Sequence, residues 1–415
     1  VHDPGLMMDH LHIDLERLQC RLAQFSAIGP LAGGGTCRLA LSDEDRQGRD
    51  LLVQWMRELG LNVTIDAIGN IFGVRAGQEA IDPVMVGSHI DTVGTGGCYD
   101  GLYGVLAGFE VLETLNDAGV TMRRPLALAA FTNEEGSRFS PFAMGSLVHV
   151  GALPLEECYV IKGIDGATVG DELRRIGYRG GATPGAIKAH AYFELHIEQG
   201  PVLEAEDLTI GAVEGVQGMA WSELIVEGQS AHAGSTPMRL RHDAGYVAAE
   251  IGVFVRKLAR DLGGNQVGTV GRIDLAPGLI NVIAQRAIVS IDLRNTDEAL
   301  LQEAQRRLDA FVAEIAAREG ATVTSRSLAR FEPVIFSDEM VSMVEAEAQS
   351  RGLSSRRLPS GAGHDAQMMA RVCPAGMIFV PSVGGLSHNV RELTHPHHLE
   401  AGANVLLGLM QRLSS

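Results

Sequence analysis

Hydrophobic positions in the first half of the chain alternate between helical spacing and short apolar runs. Ser42, followed by Asp43, Glu44 and Asp45, reads as a helix start, with a hydroxyl cap and acids suited to the positive end of the helix dipole. The helix is expected to run through Leu51, Leu52, Trp55, Met56 and Leu59 and to close at Gly60. Strand-length runs follow at 63–66, 70–74 and 84–87, and a helix over 102–116 leads to strands over 126–131 and 192–195. Strands alternating with helices predict an α/β layer with a mainly parallel central sheet.

The pattern changes near residue 211. Residues 221–227 alternate apolar and polar side chains, as a half-exposed antiparallel strand does. A helix over 243–262, strands over 267–273 and 287–293, and a helix over 297–318 follow. That is the β-α-β-β-α-β order of a small ferredoxin-like α+β domain. Helix, strand and helix return at 338–350, 375–380 and 398–412. The expected division is 1–212 and 330–415 as one α/β domain and 213–329 as an insert, with hinges near 210–216 and 328–333.

Composition narrows the function. Lys and Arg number 34 against 51 Asp and Glu, a formal charge of −17, which leaves no basic footprint for nucleic acid or anionic lipid. No apolar run reaches membrane-spanning length. Cys20, Cys37, Cys98, Cys158 and Cys373 are dispersed without a C-x-x-C pair, which suggests reduced thiols and a cytoplasmic setting. Residues 1–6 are expected to be foreign to a natural chain that starts at Met7 or Met8.

Four segments carry the chemistry. In Gly87-Ser88-His89-Ile90-Asp91, His89 follows an apolar strand, where open α/β sheets place ligands, and Asp91 could fix its second ring nitrogen. Asp100 sits on the glycine-rich loop Gly96-Gly97-Cys98-Tyr99-Asp100-Gly101 and could offer both oxygens to cations. Glu134 and Glu135 follow another buried-looking strand; two adjacent acids repel unless a cation or shared proton compensates. Alternation puts Tyr192, Glu194, His196 and Glu198 on one unusually polar strand face, and Gly384-Gly385-Leu386-Ser387-His388 is a glycine loop delivering a histidine. A solvated turn accounts for any one segment. The recurrence of His, Asp and Glu at strand ends and glycine loops points instead to divalent cations.

Taken in order, G-S-H-I-D-T-V, G-G-C-Y-D-G, N-E-E-G-S-R-F, E-L-H-I-E-Q-G-P, H-A-G-S-T-P-M, G-A-G-H-D-A and S-H-N resemble one family. It is the metal-dependent amidase family of N-carbamoyl-L-amino-acid hydrolases, ureidopropionases and allantoate amidohydrolases, within the zinc carboxypeptidase/aminoacylase superfamily. The resemblance runs from about residue 40 to the end. It implies two divalent ions per subunit (Zn, Mn, Co or Ni), with His89, Asp100 and His196 holding one and Asp100, Glu135 and His388 the other. Glu134 would be the general base acting on a shared water, and Asp91 would orient His89.

The resemblance also implies that the insert forms a homodimer and sends residues into the partner's site. His232 would stabilise the oxyanion, and Asn281 and Arg294 would contact the substrate carboxylate. Gln199, Gly363 and Gly384 fall on further substrate-contact positions. The implied reaction is hydrolysis of the carbamoyl C–N bond of a small-molecule N-carbamoyl-L-amino acid to the L-amino acid, carbon dioxide and ammonia. The alternatives are an allantoate amidohydrolase, which shares almost every one of these motifs, and a ureidopropionase acting on N-carbamoyl-β-alanine, though Cys98-Tyr99-Asp100 and Arg138-Phe139-Ser140-Pro141 look more like carbamoylases. His196, where the peptidase branch tends to carry a carboxylate, disfavours a dipeptidase, and the presence of Glu134 disfavours a silent metal-binding relative.

Two signals are set aside. Gly361-Ala362-Gly363-His364-Asp365-Ala366 satisfies G-x-G-x-x-A but lacks the acid a dinucleotide site needs. His395, His397 and His398 surround Pro396, which reads as a solvated helix start rather than a metal tract.

Overall fold

The computed structural model describes residues 11–415, so the foreign stretch expected at 1–6 and the start expected at Met7 or Met8 lie outside the described residues. Two compact units divide the chain. One combines the chain up to Gly215 with Ile335–Ser415, and the other is Val216–Val334.

The first unit is built on a nine-stranded sheet. Its strands are β1 (Asn62–Ile65), β2 (Ile71–Arg75), β3 (Val84–His89), β4 (Leu126–Phe131), β5 (Ala191–Ile197) and β6 (Ile210–Val216). To these the C-terminal part adds β11 (Val334–Ile335), β12 (Ser355–Ser360) and β13 (Ala375–Val380). The order is β1-β2-β4-β3-β5-β13-β6-β11, with β12 beside β6. The middle is parallel, from β4 through β3 and β5 to β13. The sheet as a whole is mixed rather than mainly parallel, because β1–β2, β2–β4 and β13–β6 pair antiparallel. For β1–β2 the cause is connection length: a parallel pair needs a crossover of a dozen or more residues, and residues 66–70 allow only a tight turn. Asp66 holds that turn by accepting from the amides of Ile68 and Asn70.

Strands β3, β4, β5 and β13 are buried along their whole length, as expected of strands covered on both faces. The helix Leu102–Asp117 packs on β3, β4 and β5, and Pro396–Ser414 packs on it and on β13. The predicted helix caps are found. Ser42 accepts from the Asp45 amide at the start of Asp43–Glu58, Gly60 follows its end with φ of +81°, and Pro396 opens the last helix. A helix that no expectation covered, Leu15–Ser26, buries Leu18, Leu22 and Phe25. Its Arg17 and Arg21 converge on the fully buried Glu110 of Leu102–Asp117.

The second unit adds β7 (Gly218–Glu227), β8 (Val267–Ala276), β9 (Arg286–Asn295) and β10 (Thr322–Phe331) in the antiparallel order β10-β7-β9-β8. Helices Ala244–Leu262 and Glu298–Glu319 complete a strand-helix-strand-strand-helix-strand sequence. Leu224, Val226, Val289, Ile291 and Leu293 of the sheet pack with Val247, Ile251, Val255, Leu301 and Leu308 of the helices as its core. The stretches expected as hinges are largely strand: 210–216 is β6, and 328–331 ends β10. No helix among the described residues is long and apolar enough to cross a membrane.

Candidate metal centre

Parallel strands align their carboxyl ends at one edge of a sheet, and here that edge carries the candidate ligands. His89 is the last residue of β3, His196 lies one before the end of β5, and Glu134 and Glu135 follow β4. His388 comes on the loop after β13, and Asp100 lies two residues before the start of Leu102–Asp117. Gly101 allows the close approach between them. Its φ is +66°, and a Cβ there would lie 2.4 Å from His89 Nε2.

Asp100 divides its carboxylate between two groups of donors. Oδ1 lies 3.1 Å from His196 Nε2 and 3.6 Å from His89 Nε2, while Oδ2 lies 3.2 Å from His388 Nε2. His388 Nε2 is in turn 3.3 Å from Glu135 Oε2. The sets His89, Asp100, His196 and Asp100, Glu135, His388 each bring their donor atoms within 4.8 Å of one another. Ligands about 2 Å from a common tetrahedral ion stand about 3.3 Å apart, so the observed separations and the imidazole and carboxylate chemistry both fit divalent cations. Glu134, 5 % exposed, brings Oε2 to 3.5 Å from His89 Nε2.

Neighbouring atoms fix the rings. His89 Nδ1 donates to the backbone carbonyl of Asp91 at 2.9 Å, and His196 Nδ1 to that of Ile197 at 2.8 Å, which turns both Nε2 atoms toward Asp100. The Asp91 carboxylate takes a different task, accepting the backbone amides of Glu134 and Glu135 at 3.2 and 3.3 Å. Three non-glycine residues here adopt left-handed backbone, Asn133 (φ +55°), Gln199 (+58°) and His388 (+53°). Such conformations cost about 1–3 kcal/mol each and persist where surrounding contacts enforce them.

Electrostatics follow the crowding of acids. Burial pushes Glu134 well above the ordinary carboxylate range, only partly opposed by His89. Burial would also raise Asp100, but hydrogen bonds from His196 and His388 reverse the effect and hold it well below that range. His388, hydrogen-bonded to Asp100 and Glu135, is pushed up to about 11. Metal uptake must therefore displace protons from this centre.

Of the remaining expected site residues, Gln199 donates through Nε2 to Asp100 Oδ2 at 2.9 Å. The Gly384 amide is held by Glu204, and a Cβ on Gly363 would collide with the ring of Phe142. His232, Asn281 and Arg294 belong to the second unit. There, the segments carrying His232 and Asn281 run side by side, with the Ala233 amide donating to the Asn281 carbonyl at 2.9 Å. His232 Nδ1 accepts from the amides of Gly234 and Ser235 at 3.0 and 3.2 Å, so the neutral ring carries its proton on Nε2. Arg294 lies on β9 with Nε and Nη2 on the carboxylate of Asp292.

Several residues to which the sequence assigns no role adjoin the centre. Glu194, fully buried, accepts from Ser88 Oγ at 2.6 Å and from the Ala366 amide at 2.7 Å. The buried His364 ring packs edge-on to His196 at 4.6 Å. Ser387 and Glu392 meet the Asp100 loop. Glu194, His364 and Ser387 stand within E-L-H-I-E-Q-G-P, G-A-G-H-D-A and S-H-N, whereas nothing in the sequence marks Glu392.

The family model described as Peptidase family M20/M25/M40 matches residues 85–412. The chain is 41 % identical to an N-carbamoyl-L-amino-acid amidohydrolase of Rhizobium meliloti, over 96 % of each chain. It is 34 % identical to a ureidoglycolate hydrolase of Arabidopsis thaliana, over all of this chain and 90 % of that one. Among solved structures, an amidase of the hydantoinase/carbamoylase family from Burkholderia multivorans superposes with a TM-score of 0.95 at 44 % identity, covering 97 % of this chain and 98 % of that one.

Proposed function

The chain belongs to peptidase family M20/M25/M40 and is a metal-dependent amidohydrolase, and on that premise we propose that it hydrolyses the carbamoyl C–N bond of an N-carbamoyl-L-amino acid. The observation that carries the mechanistic half of this reading is the split of Asp100, one oxygen toward His89 and His196 and the other toward His388, with Glu134 alongside. The substrate half is supported by likeness to the Rhizobium meliloti amidohydrolase.

His89, Asp100 and His196 would hold one divalent ion and Asp100, Glu135 and His388 a second. Such a pair, when bound, supplies Lewis acidity and lowers the pKa of a shared water. Glu134 takes the proton from the attacking water on a carboxylate oxygen, then delivers it to the leaving amino nitrogen. Water adds to the ureido carbon, the bond to the amino-acid nitrogen breaks, and the carbamate released decomposes to carbon dioxide and ammonia. His232, from the second copy of a homodimer, donates its Nε2 proton toward the oxyanion, and Arg294 and Asn281 receive the substrate carboxylate. Gln199, Gly363 and Gly384 complete the substrate contacts.

The test is ammonia release by chelator-stripped protein before and after addition of Mn, Co, Ni or Zn. Substrates would be N-carbamoyl-L- and D-amino acids, N-carbamoyl-β-alanine, allantoate, ureidoglycolate and a dipeptide, the last followed by amine release. Activity restored by metal and confined to N-carbamoyl-L-amino acids is the expected result. Activity only on allantoate or ureidoglycolate would overturn the substrate and leave the centre; silence on all with metal bound would overturn both.

A further inference from the structure

The two halves of the metal centre are built differently. His89 and His196 stand on β3 and β5, neighbouring strands of the same sheet, so the sheet itself sets their spacing. His388 stands on an irregular loop, is half exposed, and has left-handed backbone. Nothing in the sheet sets its distance from Asp100, which comes from a loop near the other end of the chain.

One buried side chain joins these loops. Glu392, 6 % exposed, accepts through Oε1 from the backbone amides of Tyr99 at 2.9 Å and Asp100 at 3.1 Å. Its Oε2 lies 2.9 Å from Ser387 Oγ, which also lies 2.9 Å from Asp100 Oδ2. Both carboxylate oxygens are thus spent on the two ligand-bearing loops. The sequence makes room for this: a Cβ on Gly97 would come within 2.1 Å of Glu392 Oε1. A buried acid this close to Asp100 is unfavourable by itself, so its placement calls for a compensating use.

We propose that Glu392 is a positioning residue for the Asp100–Glu135–His388 metal position, setting through Ser387 and the 99–100 amides the distance at which Asp100 Oδ2 can be shared with His388. The proposal rests on the two-ion reading of the centre. It commits to an asymmetry: loss of Glu392 weakens the ion on the His388 side and spares the one on the His89 and His196 side.

Chelator-stripped full chain would be titrated with cobalt(II), with binding counted by equilibrium dialysis and visible absorption. In Glu392→Ala, one ion should keep its parent affinity and the other should weaken about 10- to 100-fold, the usual range when a group behind a metal ligand is removed. Glu392→Gln, which keeps an acceptor for the two amides, should fall between. If Glu392→Ala does not fold, Ser387→Ala decides, since it removes the hydroxyl that joins Glu392 Oε2 to Asp100 Oδ2 while leaving Glu392 on the 99–100 amides, and it should weaken the same ion in the same direction. Equal weakening of both ions, or of neither, in a folded variant overturns the proposal while the parent still binds two. A parent that binds a single ion overturns the two-ion reading and the proposal together.

Discussion

Asp91 faces His89 with its backbone carbonyl, 2.9 Å from Nδ1, and keeps its carboxylate for the amides of Glu134 and Glu135. Its side chain therefore positions the turn that carries the proposed base and one proposed ligand. Each carboxylate oxygen serves one amide, and an asparagine offers only one acceptor oxygen. Asp91→Asn should lower kcat about 10- to 100-fold while leaving the His89-side ion bound, because the carbonyl that orients His89 is unchanged. Cobalt stoichiometry alongside steady-state kinetics checks this; loss of that ion at unchanged kcat would contradict it.

Glu134 lies against His89 yet belongs to neither set of converging donors. Burial holds its carboxyl well above the ordinary range, which suits a group that must take a proton and return it. Glu134→Gln keeps shape and burial but cannot accept that proton. Turnover should fall about 10²- to 10⁴-fold with metal content unchanged. Near-parent turnover would remove Glu134 from the mechanism.

The candidate ligands His89, Glu135, His196 and His388 are legible because each follows an apolar run, and four such ends at one sheet edge follow from parallel pairing of β4, β3, β5 and β13, whereas Asp100 stands out only through its glycine-rich loop. What was not legible had no local signature. Glu392 lies in the unremarkable Arg391-Glu392-Leu393, and only the fold brings it beneath Tyr99 and Asp100. The antiparallel β1–β2 hairpin depends on the Asp66 turn, whose side-chain bonds no hydrophobic pattern reports. Strand β10 is mostly exposed and so shows no apolar run. By contrast, Leu15–Ser26 had a readable 3.6-residue stripe in Leu18, Leu22 and Phe25 behind its Asp14 cap, and it went unassigned.

His232 has its Nδ1 occupied by two backbone amides, which leaves Nε2 as the donor. If it serves the partner's site, two inactive proteins should complement each other. His232→Ala alone should lower kcat about 10²- to 10³-fold, the range for loss of an oxyanion donor. Mixed with Glu134→Gln under conditions that exchange subunits, it should regain activity, since a mixed dimer has one site with both residues intact. No recovery, with mixed dimers demonstrably formed, would place His232 in the site of its own chain.

His149 gives a prediction about stability. It is 6 % exposed, with its ring 5.2 Å from that of Phe72 and 5.7 Å from that of Phe131, and its Nδ1 has no hydrogen-bond partner. Burial lowers its pKa from 6.5 to about 4. The folded state thus binds fewer protons than the unfolded chain between those values. Its contribution to stability is complete above pH 6.5 and is lost as pH falls toward 4. At pH 4.5 that loss amounts to about 2–3 kcal/mol relative to pH 7.5. His149→Phe fills the same aromatic slot without a titrating group. Urea unfolding of chelator-treated parent and variant at both pH values should show the parent losing about 2–3 kcal/mol more than the variant. Parallel losses in the two proteins would mean that His149 does not carry the acid sensitivity and that its ring takes up a proton in the folded state without penalty.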